Sequence, residues 1–242
     1  MNFVEMKELE TARLNLRRLR FEDLYDYYEH ITSDGDVTRY LELEPHQEIS
    51  ETMAELQSIL ERYEEPGFYR WAIARKEDDG IIGTFELQRF DEAEESCSFT
   101  YMLGRQWWGQ GYATEAMQEA FRFALEELGV RKILGAHMAP NAASGAVMRK
   151  AGMVQVGVVP GRYEKQGQIY DAVCYELSRA SEEPLTADEY QKKAMQTLNP
   201  ALSKADALLN GVMGLCGEII HPVRAVFKMG CYIRIYAKSY EN

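Results

Sequence analysis

The chain is expected to fold as a mixed α/β domain, a curved mixed sheet flanked by helices, followed by a short helical extension. Three observations predict this. Residues 69–103 hold three runs of strand-like alternation separated by strong turn signals. A glycine turn at residues 109–111 then opens into an amphipathic helix. A further strand leads to an Asn-capped helix. The 242 residues suffice for one domain plus an appendage or for two small domains.

Along the chain, residues 13–20 alternate Leu14, Leu16 and Leu19 with arginines, the pattern of a half-buried strand. Residues 21–30 and 48–65 read as helices, the first rich in Tyr25, Tyr27 and Tyr28. Residues 69–76, 81–90 and 96–103 read as antiparallel strands joined by Glu77-Asp78-Asp79-Gly80 and by residues 91–95. In the third strand Cys97, Phe99, Tyr101 and Leu103 share one face, and Ser98, Thr100 and Met102 the other. Ala113, Ala116, Met117, Ala120, Phe121, Ala124, Leu125 and Leu128 then repeat at three-and-four spacing, one buried helical stripe ended by Gly129. Residues 131–138 form the next strand, and Asn141 caps a helix that carries Ser144 one turn inside.

The run TYMLGRQWWGQGYATEA (residues 100–116) is the most informative stretch. Its turn points several backbone N–H groups and the positive end of a helix dipole at one small volume, which suits a phosphate or pyrophosphate. Glycine there leaves the backbone open to a ligand and permits positive φ. A tight turn alone would use the same two glycines, so the neighbouring elements carry the argument. Strand, glycine turn, helix, strand and Asn-capped helix together present a phosphate and a reacting carbonyl side by side.

The ordered pair GRQWWGQGYATEA and PNAASGAVMRKAGM (residues 140–153) resembles motifs A and B of the GNAT acetyl-CoA-dependent N-acetyltransferases, and within them the Rim-type ribosomal-protein-alanine N-acetyltransferases. LETARLNLRRLRFEDL (residues 9–24) resembles their first strand and helix, and GRYEKQGQIYDAVCYELS (residues 161–178) their last two strands. The likeness covers roughly residues 9–180 and implies the GNAT fold, a curved mixed sheet splayed near its middle, as a domain over residues 1–180.

The resemblance also implies the chemistry. The exposed backbone of Met102 and Leu103 is expected to pair with the pantetheine arm of acetyl-CoA, the co-substrate. The N–H groups of Gln110, Gly111, Tyr112, Ala113 and Thr114 are expected to cradle its pyrophosphate, and Asn141 to bind pantetheine or align the acetyl group. The cofactor's phosphates then hold the thioester in a productive pose. A neutral amine attacks, its proton leaves to water or to a carboxylate, and the departing thiolate gains from a proton donor. Many family members place a tyrosine donor where this chain has Met148. Rim-type members place a serine one turn into the helix, which makes Ser144 the donor here; a structural first-turn hydrogen bond is the other reading. A family glutamate before the glycine turn matches Ser98 here. That leaves Glu86 as the best carboxylate base, with a solvated surface charge as its alternative, and His137 as a further candidate base or a structural histidine. Trp107 and Trp108 are expected to pack the turn or line a channel.

Residues 181–242 read as a helical tail. Thr186 and Glu189 form a capping box, Asn199-Pro200 ends that helix, and Ser203 with Asp206 starts another. Residues 185–218 resemble the opening of MazG-like nucleotide pyrophosphohydrolases, all-α enzymes that bind Mg²⁺ with clustered carboxylates. Only Glu218 of such a set stands here, with His221 where a second carboxylate is expected. One glutamate–histidine pair does not hold Mg²⁺ as several carboxylates do, so neither a metal nor pyrophosphohydrolase activity is expected, and the tail reads as a truncated segment.

The net charge of −12 lies within residues 1–180, since basic and acidic residues balance in the tail. This disfavours nucleic acid as a partner and is compatible with a cationic amine. No apolar run is long enough to span a bilayer, the start is not a signal peptide, and the four cysteines form no disulfide framework, so a cytoplasmic protein with no membrane partner is expected. The expected partner is a primary amine, with a protein N-terminus and small-molecule amines both open, and a homodimer is an open option. The function expected is N-acetyltransfer. A non-catalytic acetyl-CoA-binding sensor is the alternative, because Met148 and Ser98 depart from the family pattern, and a nucleotide-handling module stands third.

Overall fold

The computed structural model describes residues 1–179; the tail reading at residues 181–242 lies outside them. The elements are β1 (Leu9–Glu10), β2 (Leu14–Arg17), α1 (Leu24–Tyr27), α2 (Gly35–Thr38), α3 (Ile49–Arg62), β3 (Tyr69–Arg75), β4 (Ile81–Asp91), β5 (Ser96–Leu103), α4 (Tyr112–Glu126), β6 (Lys132–Met138), α5 (Ala142–Lys150), β7 (Val154–Lys165) and β8 (Gln168–Ser178). The strands form one mixed sheet of eight in the order β1-β2-β3-β4-β5-β6-β8-β7, which is the expected mixed α/β architecture. Each neighbouring pair is antiparallel except β5–β6.

That exception positions the site. A parallel pair needs a crossover, and here α4 supplies it. β5 and β6 pair only at Ser96–Lys132, Cys97–Ile133 and Ser98–Leu134. Beyond Ser98, β5 keeps its pairing to β4 out to Leu103, and β6 keeps its pairing to β8 out to Met138. The two strands therefore diverge, and the backbone edges facing each other across the opening are left without ladder partners. This is the splay.

α4 holds the two halves together. Its buried stripe of Ala113, Ala116, Met117, Ala120, Phe121, Phe123 and Ala124 lies on the sheet. The alanines let the helix approach closely, and the aromatics fill what remains. Phe121 meets the stacked pair Phe85–Phe99 edge-on at 6.1 and 5.0 Å, while Phe123 meets Tyr69 and Trp71 at 5.6 Å each. Such edge-to-face contacts add to the area these rings bury.

The structure departs from the expected single helix over residues 21–30. It forms a 3₁₀ turn (Phe21–Asp23), the single turn α1, and a π turn (Tyr28–Thr32). Side chains compete for the backbone. Asp23 accepts from the Arg20 N–H while gripping the buried Arg17 guanidinium at 2.8 and 2.9 Å. At the other end Ser33 bonds Tyr28 O through both its N–H and its hydroxyl. α2 was not expected; Asp34 caps it by accepting from Asp36 N at 2.8 Å. Glu51 accepts from the N–H groups of Gln47 and Glu48, starting α3 at Ile49 within the expected span. The last two strands, expected within residues 161–178, begin earlier, at Val154, and the register of β7 with β8 is irregular between Val159 and Tyr163.

Among the described residues no helix is long and apolar enough to cross a membrane. Cys97 and Cys174 are both buried, and burial pushes the Cys97 thiol up to about 12.

Candidate active site

The splay opens into a cavity of about 1000 Å³. One wall comes from Met102 and Leu103 of β5, from Gly109 and Ala113 at the start of α4, and from Asn141 and Ser144 of α5. Tyr40 and Leu43, from the segment before α3, and Arg162 and Tyr163 of β7 line the cavity as well. The cavity is therefore lined by β5 and two helix starts on the one hand, and by the segment before α3 and the last hairpin on the other.

The glycine turn has the conformation the sequence argues for. Gly109 and Gly111 take φ of +74° and +86°, and a Cβ on Gly109 would meet only open space. The first bond of α4 runs from Glu115 N to Gly111 O at 3.0 Å. The N–H groups of Tyr112, Ala113 and Thr114 thus have no partner within the helix. Gln110, Gly111 and Tyr112 form the turn between the two cavity-lining positions Gly109 and Ala113.

Sequence reasoning missed what holds this turn. Arg13, from β2's start, donates to Gln110 O at 3.1 Å and to Glu115 Oε2 at 2.7 Å, and its guanidinium lies 4.2 Å from the Tyr112 ring centroid. Glu115 also accepts from the Thr11 hydroxyl and the Arg13 N–H at 2.6 and 2.9 Å. Burial works against ionisation, but these bonds outweigh it and hold the Glu115 carboxyl below its ordinary range. A glutamate in the first turn of an Ala-rich helix was the available signal.

Asn141 caps α5 as expected, its side chain accepting from Ser144 N at 3.3 Å. Ser144 Oγ accepts from the Tyr101 hydroxyl at 3.1 Å. Burial holds the Tyr101 phenol above its ordinary range. Met148, at the family's tyrosine position, is buried and packs its sulfur near Gly135, where Phe99 also crowds in. Trp107 packs against Gly104 and His30. Trp108 lines the cavity and donates its indole N–H to Leu103 O at 2.7 Å, committing that carbonyl.

Glu86 sits on the rung opposite Thr100. Thr100 and Gln88 line the cavity, whereas Glu86 lies off its wall. The Glu86 carboxylate is 3.3 Å from Arg70 Nη1, and the same guanidinium bonds Glu55 at 2.8 Å and the Tyr27 hydroxyl at 2.6 Å. Burial raises the Glu86 carboxyl above its ordinary range, with Arg70 opposing. His137 is also buried; its Nδ1 bonds Met138 O at 2.8 Å, and its Nε2 faces the backbone of Gly145. The structure brings Ser144, Asn141, Met102, Leu103 and Ala113 to one cavity and leaves Glu86 out of its lining.

A second carboxylate was not anticipated. Glu176 of β8 lines the cavity, is 1% exposed, and leaves Oε2 without a hydrogen-bond partner while Oε1 accepts from Ser178 Oγ at 2.5 Å. It stands on one rung with Ser98 and Leu134, since Ser98 pairs with Leu134 and Leu134 with Glu176. The signal in the sequence was an acid sharing a strand face with Ala172 and Cys174.

The hairpin of β7 and β8 is tied to the segment before α3. Lys165 Nζ donates to Leu43 O at 2.6 Å and lies 2.8 Å from Glu44 Oε1.

Known proteins resemble this chain in sequence and in fold. The chain is 28% identical over 175 residues to the uncharacterized N-acetyltransferase p20 of Bacillus licheniformis, covering 71% of this chain and 96% of the relative. Two solved structures share the fold: the microcin C7 self-immunity acetyltransferase MccE in complex with acetyl-CoA and AMP (19% identity, TM-score 0.62, 70% of this chain and 94% of that one), and spermidine N-acetyltransferase from Vibrio cholerae in complex with CoA and spermine (18%, 0.61, 70% and 98%). The acetyltransferase (GNAT) domain model matches residues 13–154. With the splayed β5–β6 pair, the glycine turn and the Asn-capped helix in place, the chain belongs to the GNAT acetyltransferase family and is an acetyl-CoA-dependent acetyltransferase.

Proposed function

We propose that the protein moves the acetyl group of acetyl-CoA to a primary amine by direct attack in a ternary complex. The observation that carries this reading is the divergence of β5 and β6 after three paired rungs, into a cavity lined by both helix starts. The pantetheine arm extends along the free edge at Met102 and Leu103. With the Leu103 carbonyl held by Trp108, the remaining backbone groups of that edge do the pairing. The pyrophosphate sits on the N–H groups of Gln110 to Thr114, where the dipole of α4 favours negative charge. Asn141 aligns the acetyl end. Ser144 stands beside the sulfur and stabilises the departing thiolate by a hydrogen bond.

The amine approaches from the wall of Tyr40, Leu43, Arg162 and Tyr163. Two carboxylates serve the ammonium proton. Glu86, on the β4 rung behind Thr100, is the base in this reading and acts through a water across Thr100. Glu176, on the cavity wall, adds negative charge that favours a cationic acceptor. A protein α-amine, the Rim-type acceptor, and a polyamine of the kind named for the Vibrio cholerae neighbour are the acceptor classes to test, in a cytoplasmic setting.

The experiment is thiol release from acetyl-CoA with an alanine-initiated peptide, spermidine and other primary amines, run beside calorimetric titration with acetyl-CoA. Turnover with at least one amine supports the reading. Tight binding of acetyl-CoA without turnover supports the sensor alternative, which the pairing of Glu86 with Arg70 favours. Absence of binding removes both.

A further inference from the structure

We propose that Tyr101 is the positioning residue of the thiol-releasing step: its phenol fixes the Ser144 hydroxyl so that the serine proton points into the cavity. The inference rests on the acetyl-transfer reading and extends it to a residue that no sequence motif marked. Tyr101 and Ser144 both line the cavity, and the phenol donates to Ser144 Oγ at 3.1 Å. A hydroxyl has one proton and two lone pairs. With one lone pair taken by Tyr101, the Ser144 proton is directed away from the phenol, on the side of a residue that lines the cavity. Without Tyr101 that proton samples several rotamers, and the hydrogen bond must be reorganised as charge develops.

The surroundings leave the task to this pair. Met148, at the family's donor position, is in the core. Nδ1 of the nearby His137 is committed to Met138 O, and its Nε2 faces the backbone of Gly145. The Tyr101 ring is itself held, stacked at 6.4 Å from Phe99, which stacks in turn on Phe85. A phenol anchored in the sheet core therefore sets the geometry of a hydroxyl on α5, across the splay. During transfer the C–N bond forms as the C–S bond breaks. The amine proton leaves to water, directly or by way of the base, and the thiolate, stabilised by the Ser144 hydrogen bond, takes its proton from solvent. Tyr101 neither gains nor loses a proton.

The test uses the full chain with an amine that the wild type acetylates, and compares acetyl-CoA with an acetyl thioester of an acidic aromatic thiol. Such a leaving group needs little stabilisation. Tyr101→Phe keeps the ring and removes the hydroxyl. It is expected to lower kcat with acetyl-CoA about fivefold to tenfold, the range for one hydrogen bond at a developing charge. The KM for acetyl-CoA should stay within about twofold. Ser144→Ala should lower kcat at least as much, and adding Tyr101→Phe to it should cost nothing further, because the phenol acts only through the serine. With the acidic thioester both variants should regain most of the wild-type rate.

Unchanged kcat in Tyr101→Phe overturns the proposal. So do equal losses with both thioesters, which mark a packing defect, or additive losses in the double variant. A wild type that binds acetyl-CoA but turns over no amine refutes the catalytic reading itself, and the proposal with it.

Discussion

Replacing Gly145 with alanine sets two known magnitudes against each other. Gly145 lies inside α5, and alanine in a helix interior is favoured over glycine by about 1 kcal/mol. Against this, the new Cβ would stand 2.6 Å from His137 Nε2 and 2.8 Å from the Tyr175 hydroxyl, well inside the 3.4 Å at which ordinary contact begins. Neither neighbour is free to swing away. His137 is pinned through Nδ1 to Met138 O at 2.8 Å, and Tyr175 is 1% exposed with its hydroxyl bonded by Arg149 at 2.7 Å. The helix must lift instead. Overpacking of this kind costs about 1–3 kcal/mol, so the net change is a loss of about 1 kcal/mol and a fall in Tm of about 2–4 °C. Activity should suffer more than stability. Asn141 and Ser144 ride on the same helix, and a displacement approaching 1 Å at a reacting centre can cost about a hundredfold. Differential scanning fluorimetry and thiol release from acetyl-CoA measure the two effects. A Tm that rises by the helix-propensity gain with kcat intact would refute the claim that α5 is seated on His137 and Tyr175.

Three further outcomes are expected. Gly111→Ala places a side chain at φ +86° and should weaken acetyl-CoA binding severalfold in calorimetry with little change in amine KM; unchanged affinity would remove the turn from the cofactor site. Glu115→Gln should lower Tm at pH 7. Because the carboxyl is held below its ordinary range, its contribution is complete above about pH 4.3 and is lost as pH falls through the depressed value. The Tm gap between variant and wild type should therefore close in acid, and a gap that persists there would show that the charge is not what matters. Lys165→Met cuts the strap to Leu43 and Glu44, and should raise amine KM while leaving acetyl-CoA affinity unchanged; an effect on the cofactor instead would place the hairpin on the other side of the site.

How much of this was legible differs between fold and site. The stripe Ala113–Ala116–Met117–Ala120–Phe121–Ala124 announced α4, because a helix must bury one face and its period is written in neighbouring residues. The alternation of β5 and the Asp-rich turn before β4 are equally local. The broken first helix was not legible, since its cause is Arg17 reaching Asp23 and the hydroxyl of Ser33 turning back on Tyr28. In the site, Asn141 and Ser144 were found through a capping pattern three residues long. Glu86 was named because Ser98 stands where the family carries a glutamate, and such a comparison does not say which partner meets the carboxylate in the fold.

The sequence by itself determined the order of elements, the glycine turn and the Asn-capped helix, because each depends on dihedral preferences and periodicities spanning a few residues. The tertiary structure decided where β5 and β6 stop pairing, which guanidinium neutralises Glu86, that Arg13 braces the glycine turn, and that Tyr101 meets Ser144 43 positions away. Those are contacts between side chains distant in the chain. Their distances follow from how helices and strands pack, which no local preference encodes.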